Sequence, residues 1–502
     1  MSDLTIYKIN HSYIKIECSL DVALALSDAF KFEVPGYKFM PSYRLGQFDG
    51  FIRLFNMGSR TIASGLYSKV IDFAEKHDYT CEIVDDSSDT GYSPPGYQTQ
   101  GVTREVIEDY MLGLNLHARG EPLLTRDYQV DGVTIAIRDR QAIIVAVTGA
   151  GKSNIIYCIF RYVTEELGLR CLLIVPTVGL TTQIKSDFKD YSSHNEYAVD
   201  ANVHLISAGV DKNTRKPIVI STFQSLKDVS PEWINSFGLI MVDEGHKIVA
   251  KSFQDIFSKA TEVPFRLACT GTIHDMKCNV LTMQGMTGPI HEVAIAKTLI
   301  RDKQLVPLKI KAISIKYPVD VCKSFKGIEY DDEIKWITSN PKRNNFIRKL
   351  AINCKGTTLV FFRFIEHGQV LFDLIKESVG NTREVFLMDG SVEKDEREII
   401  RKAANSSDAI IIASYGTMST GVNIPTVESM IVAHPVRSKL TYLQSLGRGL
   451  RLAEGKTHCN LYDIGDQLTY KSKVNTTYLH FGERLQMLTR EGYDFDLVDV
   501  QF

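Results

Sequence analysis

The strongest constraint on this chain is a rhythm that begins near Asp139. Short β-branched runs end in polar or glycine-rich turns, and helix-length amphipathic segments lie between them. The runs are QAIIVAV, RCLLIVP, PIVIST, GLIMVDE and RLACTGT, and a second series follows: TTLVFFRF, EVFLMDG, AIIIASYG, SMIVAHP and CNLYDIG. Continuous apolar strands that alternate with helices need a parallel sheet covered on both faces. Two series therefore predict two α/β lobes. The stretch from Thr298 to Asn340, rich in Lys and interrupted by Pro307 and Pro318, reads as the joint to the second lobe or its opening.

The first hundred residues follow another pattern. DDSSDTGYSPPGYQTQG, Asp85 to Gly101, is polar and turn-rich and carries a Pro-Pro pair, so it reads as a linker. It leaves Met1 to about Val84 as a small α+β unit. A length of 502 residues fits such a division, because a single core stops growing well below that size. No basic start followed by an apolar core marks a signal peptide. Runs such as AIIVAV fall far short of the roughly 20 residues of a membrane span. Nine cysteines without a C-x-x-C pair argue against a zinc ribbon or a disulfide framework, and for a reducing cytosol. A net charge of -2 gives no global field for nucleic acid, so attraction to such a partner must come from local basic patches.

The chemistry begins at AVTGAGKSN, Ala146 to Asn154, directly after the strand QAIIV and before the helical IIYCIFRYVTEEL. Backbone N–H groups of a glycine-rich turn that opens a helix form an anion cradle. In such a loop Thr148, Gly149, Ala150 and Gly151 wrap the phosphates, Lys152 reaches the β- and γ-phosphates, and the Ser153 hydroxyl ligates Mg2+. Ala146 stands where the general pattern has Gly. A turn that merely caps a helix is the plainer reading, but strand, loop, Gly-Lys-Ser and helix in this order weigh against it. Further on, LIMVDEGHK, Leu239 to Lys247, sets two carboxylates and a histidine at the end of an apolar run. Alone it could be a metal site, an acid/base pair or the mouth of a nucleotide pocket. Beside a phosphate loop, Asp243 suits the Mg2+ sphere, and Glu244 suits the orientation and deprotonation of the attacking water. His246 lacks partners at metal spacing, and a role coupling the nucleotide to another site fits it better.

Together AVTGAGKS and VDEGH resemble motifs I and II of superfamily 2 helicases of the D-E-x-H kind, and further motifs follow in order. RDYQ, with Arg126 and Gln129, is similar to the adenine-reading element upstream of the phosphate loop. PTVGLTTQ, with Thr177 and Gln183, and STFQSL, with Thr222, resemble elements that hold the nucleic-acid backbone. TGT, Thr270 to Thr272, sits where the family has Ser-Ala-Thr, and the resemblance gives Thr270 and Thr272 a coupling role. In the second lobe LVFFRFIEHG, ASYGTMSTGVNIP and QSLGRGLR resemble motifs IV, V and VI. They bring in Arg363 and Ser414 for DNA and Asn423 near the ribose. Gln444, Arg448 and Arg451 recur at helical spacing and so share one helix face. In the family that face meets the γ-phosphate across the cleft between lobes, as an arginine finger. The resemblance covers roughly Thr125 to Asp463 and implies two RecA-like lobes, ATP and Mg2+ as cofactors, and hydrolysis of ATP to ADP and phosphate.

Over its whole length the chain also resembles phage recombination helicases, through YRLGQFDGFIRLF near the N-terminus and ASYG and STG in motif V. That resemblance implies a DNA motor that remodels branched DNA by fork regression, Holliday-junction branch migration and unwinding of RNA–DNA loops, in recombination, replication and repair. Its expected partner is DNA, branched, single-stranded or duplex, with RNA–DNA hybrids and other phage recombination proteins as further candidates and no membrane. The expected location is the cytoplasm of an infected bacterial host. The expected division is 1–100 for an accessory domain and linker, 101–300 and 301–477 for the two lobes, and 478–502 for a helical tail. PSYRLGQFDGFIRLFN, Pro41 to Asn56, reads as a hairpin turning at FDG. Either Lys38, Tyr43, Arg44 and Arg53 present an aromatic-basic face to nucleic acid, or the hairpin is core with solvated charges. TYKSKVNTTYLHFGERLQML reads as a helix packed on a lobe, with Lys471 and Lys473 as the alternative phosphate contacts. Three rivals stand beside the motor. One is an RNA helicase, the second a duplex translocase that never separates strands, and the third an ATP-switched nucleic-acid clamp.

Overall fold

The computed structural model describes residues 2–34, 36–84, 101–118, 120–207, 209–249, 251–273, 277–406, 408–419 and 424–502. It divides into two compact units, Met1–Ala146 with Gly151–Val293, and Val147–Ala150 with Ala294–Phe502.

The first unit holds a seven-stranded sheet in the order Val203–Ile206, Ile218–Thr222, Cys171–Val175, Leu239–Asp243, Phe265–Thr270, Gln141–Ala146 and Ile290–Ala294. From Val203–Ile206 through Gln141–Ala146 the neighbours pair in parallel. All five runs of the first series are strands. The two strands missed by sequence, VHLI and IHEVA, lie at the sheet edges, where half-exposed positions break up an apolar run.

The second unit repeats the plan, parallel throughout. Its order is Glu384–Met388, Ala409–Ser414, Thr357–Phe362, Val427–Val432, Cys459–Gln467, Leu308–Lys316 and Phe495–Gln501. Leu359 and Phe361 enter one apolar cluster while Val360 and Phe362 enter another, as alternate side chains of a strand buried on both faces must.

Two of these strands were not read as strands from the sequence. Leu308–Lys316 lies inside the Lys-rich stretch read as the joint to the second lobe or its opening, and it belongs to that lobe's sheet. Lys309 and Lys311 are exposed while Ile310 and Ala312 are buried, and Pro307 and Pro318 bound the strand without interrupting it. The helical tail expected over 478–502 is a helix, Thr476–Arg490, followed by the edge strand Phe495–Gln501 parallel to Leu308–Lys316. Acidic residues in FDLVDVQ mask that strand, because most of it is exposed. The helix itself buries Phe481, Met487 and Leu488, which agrees with a helix packed on a lobe. The boundary between units falls at Val293, so the helix Ala296–Arg301 belongs to the second unit.

The N-terminal α+β domain forms a mixed four-stranded sheet, Thr61–Ala63, Tyr13–Cys18, Leu4–Lys8 and Cys81–Val84. Helices Leu20–Ala29 and Tyr67–Lys76 supply Val22, Leu26, Val70 and Phe73 to its core. That core also takes in Leu281 from the first lobe. Gly65 sits against the lobe so closely that a Cβ there would lie 2.0 Å from the Gln284 carbonyl oxygen. The domain therefore shares packing with the first lobe and is not an appendage on a linker. The expected hairpin turning at FDG does not form. Phe51–Arg53 pairs antiparallel with Lys31–Glu33, and the chain between them makes a short 3-10 turn, Tyr37–Phe39, and a helix, Pro41–Arg44. Pro41 opens that helix at its first position, where no N–H is needed, and so commits the segment to a helical turn.

Candidate functional site

In a parallel sheet the loops that leave the carboxyl ends of the strands gather on one edge. The phosphate loop follows Gln141–Ala146, Thr177 follows Cys171–Val175, and Thr222, Asp243 and Thr270 are the last residues of their strands. Motifs far apart in sequence therefore meet at one edge of the first sheet.

Gly149 and Gly151 take φ of 93° and 81°, the left-handed conformation that a compact anion-binding turn requires. Gly151 is also the N-cap of the helix Lys152–Glu165. Thr148 and Ala150 complete the turn, and the Lys152 ammonium folds back to donate to the Ala146 carbonyl at 3.3 Å. The Ser153 hydroxyl lies 2.8 Å from the Tyr191 hydroxyl. Upstream, the Gln129 carbonyl oxygen accepts from the Arg126 N–H at 3.1 Å and from the Asn154 amide at 3.2 Å. This fixes the Gln129 amide beside Gly151, where a Cβ would lie 2.6 Å from its nitrogen. Arg126 meanwhile donates to the Tyr128 hydroxyl at 2.7 Å.

Asp243 is buried and accepts from the Glu244 N–H at 2.9 Å. Burial, and then the neighbouring Glu244, push its carboxyl up, and Lys152 opposes them. A buried carboxylate held up in this way is suited to a cation. Ser153 and Asp243 offer the oxygen donors that Mg2+ takes, and one or two protein ligands suffice where phosphates and water complete the sphere. Glu244 has φ 60°, a left-handed conformation rare outside glycine and one that clusters at functional sites. His246, also buried, lies with Nδ1 3.3 Å from the Glu244 carboxylate and 3.2 Å from the Thr270 hydroxyl. The Thr270 hydroxyl donates to the Thr272 carbonyl at 2.9 Å. The histidine thus bridges the second and third motifs. The residue between Glu244 and His246 has to be small, because a Cβ on Gly245 would lie 2.8 Å from the Ala268 Cβ.

In the second unit Gln444 and Arg448 lie on the helix Lys439–Gly449, while Arg451 follows its cap, Leu450. The single helical face expected for all three is therefore cut short, although Leu450 keeps an α conformation. Asn423 lies outside the described residues. Among the candidate DNA residues, Arg363 is exposed, and Thr177 and Gln183 are half-buried at and within the helix Val178–Tyr191. Thr222 is buried, with its hydroxyl 2.9 Å from that of Ser225. Ser414 caps the turn that follows it, 2.8 Å from the Thr417 hydroxyl. These two brace their loops. In the N-terminal domain Lys38 and Arg44 are exposed, and Arg53 is paired with Asp49 at 2.7 Å. Tyr191 and Asn154 escaped the sequence reading because nothing local marks them. The left-handed Glu244 also has no sequence signal.

Three family models match: "DNA helicase UvsW, N-terminal" over residues 3–85, "Type III restriction enzyme, res subunit" over 122–275, and "Helicase conserved C-terminal domain" over 342–453. The ATP-dependent DNA helicase uvsW of Enterobacteria phage T4 is 32% identical over 503 residues, spanning 98% of this chain and 96% of that protein. The DNA 3'-5' translocase XPB2 of Sulfurisphaera tokodaii is 25% identical and covers 69% of this chain and 83% of its own. The crystal structure of T4 UvsW matches with a TM-score of 0.53 and 29% identity over 99% of both chains. With the N-terminal and C-terminal family models matched and a relative 32% identical over nearly the whole length, the chain belongs to the UvsW family of ATP-dependent DNA helicases, within superfamily 2.

Proposed function

We propose that this helicase uses Mg-ATP to remodel branched DNA, by fork regression, Holliday-junction branch migration and unwinding of RNA–DNA loops. The observation that carries the reading is the N-terminal domain, with Phe39 78% and Leu45 71% exposed beside the exposed cations Lys38 and Arg44. Large exposed apolar side chains flanked by positive charge suit a partner with phosphates outside and stacked bases within. The motor supplies force. Lys152 and the turn from Thr148 to Gly151 hold the phosphates, Ser153 and Asp243 hold Mg2+, and Arg126 and Gln129 read the adenine. Mg2+ supplies charge neutralisation at the phosphates. Glu244 takes a proton from the attacking water, which needs a carboxylate within hydrogen-bond reach. Gln444, Arg448 and Arg451 serve the γ-phosphate. His246, Thr270 and Thr272 pass the state of the nucleotide to the loops bearing Thr177, Gln183 and Thr222. Those loops, with Arg363 and the loop at Ser414, grip the sugar-phosphate backbone, so sequence preference is weak.

Steady-state hydrolysis and strand separation on forks, four-way junctions, single strands and RNA test the reading. Forks and junctions are expected to stimulate most and to be converted to regressed or migrated products. Equal stimulation by RNA would identify an RNA helicase, hydrolysis without strand separation a duplex translocase, and DNA binding with negligible turnover a clamp.

A further inference from the structure

The helix that carries Gln444 and Arg448 ends at Gly449, and the three carbonyls from 449 to 451 are all engaged within the second unit. The Leu450 carbonyl accepts from the Val306 N–H at 2.9 Å. The Gly449 and Arg451 carbonyls accept from the Lys456 ammonium at 2.8 and 3.0 Å. The same ammonium donates to the Pro425 carbonyl at 2.9 Å. Pro425 closes the motif V segment ASYGTMSTGVNIP. An ammonium has three N–H groups, so Lys456 commits all of them to backbone. Two go to motif VI and one to the end of motif V. Nothing in this arrangement makes use of a surface charge. The turn is also pressed onto the sheet, since a Cβ on Gly449 would lie 2.5 Å from Met430 Cε and 2.7 Å from Cys459 Sγ.

We infer that Lys456 is a positioning residue for the arginine pair, a clamp that fixes the backbone bearing Arg448 and Arg451 and ties it to motif V. This rests on the reading that those arginines serve the γ-phosphate. A cation at a helix C-terminus is favourable in itself. Here it does more, because it holds the carbonyl of the residue after Arg448 and that of Arg451 itself. Tilting that backbone moves both guanidinium groups, and a misplacement of about 1 Å can cost about a hundredfold in rate. The link to Pro425 means that a shift of motif V moves the arginines with it. Burial pulls the Lys456 pKa down to about 8, with Cys459 and Glu428 on the facing strands opposing the shift and Arg451 adding to it. Below that pH the ammonium has three N–H groups for three carbonyls. Above it one bond is lost.

The test uses the full chain with saturating fork DNA and ATP. Lys456→Met is expected to lower kcat at least about tenfold with ATP affinity and DNA affinity unchanged, and Lys456→Arg to restore part of the loss. If the lysine acts through the arginine pair, adding Lys456→Met to the Arg448→Ala, Arg451→Ala double variant makes it no slower. Wild-type kcat is expected to fall above a midpoint near 8, and this limb is absent in Lys456→Arg. The pH profile of the wild type needs no variant to fold, and a kcat flat from neutral pH to well above that midpoint overturns the clamp. So does a triple variant slower than the Arg448→Ala, Arg451→Ala double variant. A normal rate in Arg451→Ala would overturn the arginine reading instead, which keeps the two failures apart.

Discussion

Arg266 in the first unit and Arg484 in the second are each 1% exposed, yet they are satisfied in opposite ways. Arg266 donates to neutral oxygens only: the Met286, Ala260 and Phe257 carbonyls at 3.0, 2.7 and 3.0 Å, and the Ser12 hydroxyl at 2.9 Å. Arg484 grips both carboxylate oxygens of Asp463, at 2.9 and 2.6 Å, and Arg343 bonds a single oxygen of Asp466 at 2.8 Å. Burial pulls Arg266 down to about 10. Burial also works against the charge of Arg484, but Asp463 outweighs it and raises the guanidinium above its ordinary value. The difference teaches what each buried cation is for. Ser12 belongs to the N-terminal domain and the other acceptors to the first lobe, so Arg266 bolts one onto the other. Arg343 and Arg484 lock helices Pro341–Asn353 and Thr476–Arg490 to the strand Cys459–Gln467, which makes the second lobe a braced frame. The first lobe, by contrast, sets Asp243 at a strand end with Glu244 just after it, and Lys152 at the start of a helix, the residues proposed for the chemistry.

Removing chemistry without touching the braces gives the largest effect. Lys152→Ala is expected to lower the DNA-stimulated ATPase by about a thousandfold with thermal unfolding unchanged, and a rate within a few-fold of wild type would remove the phosphate role. Next come the braces. Arg484→Met strands a buried Asp463 that also accepts from the Tyr442 hydroxyl at 2.8 Å. The expected loss is about 3–5 kcal/mol in denaturant unfolding, largely recovered when Asp463→Asn is added. Arg266→Met leaves only neutral acceptors behind, so its cost is smaller, about 1–3 kcal/mol. Equal costs for the two arginines would break the comparison. Deleting residues 1–84 uncovers Arg266 and Leu281 together, so a truncated chain is expected to be less stable than the whole protein. The smallest effect lies on the surface. Lys38→Ala with Arg44→Ala is expected to reduce the log–log salt slope of fork binding by about 1.4–1.8. Arg53→Ala changes it little, because Asp49 already holds Arg53. An unchanged slope in the double variant would take the N-terminal face out of DNA binding.

Both lobes were legible wherever a strand is buried on both faces, since IIVAV or VIST can belong to little else. Three edge strands, Val203–Ile206, Ile290–Ala294 and Phe495–Gln501, and the mixed strand Leu308–Lys316 were hidden, whereas the edge strand Glu384–Met388 was read. Leu308–Lys316 hid behind exposed lysines and flanking prolines, and Phe495–Gln501 behind aspartates. The order of the motifs located the nucleotide edge, because strand ends of a parallel sheet converge however far apart they stand in sequence. What sequence did not show was long-range. The Ser12–Arg266 bond spans 254 residues, and the Tyr191 hydroxyl beside Ser153 spans 38. The three-way grip of Lys456 is equally invisible. The N-terminal turn was misread for a local reason, since Pro41 opens a helix inside a stretch that otherwise alternates like a strand.

The central claim is the proposal that Asp243 and Glu244, adjacent in sequence, divide their labour, Asp243 on Mg2+ and Glu244, in its left-handed turn, on the attacking water. Single-turnover hydrolysis of bound ATP by Glu244→Gln on fork DNA tests it most directly. ATP and Mg2+ should bind as in the wild type while the hydrolysis step slows by about a hundredfold to ten-thousandfold. Hydrolysis within a few-fold of wild type, or a loss of Mg-ATP affinity as large as that in Asp243→Asn, would contradict the account.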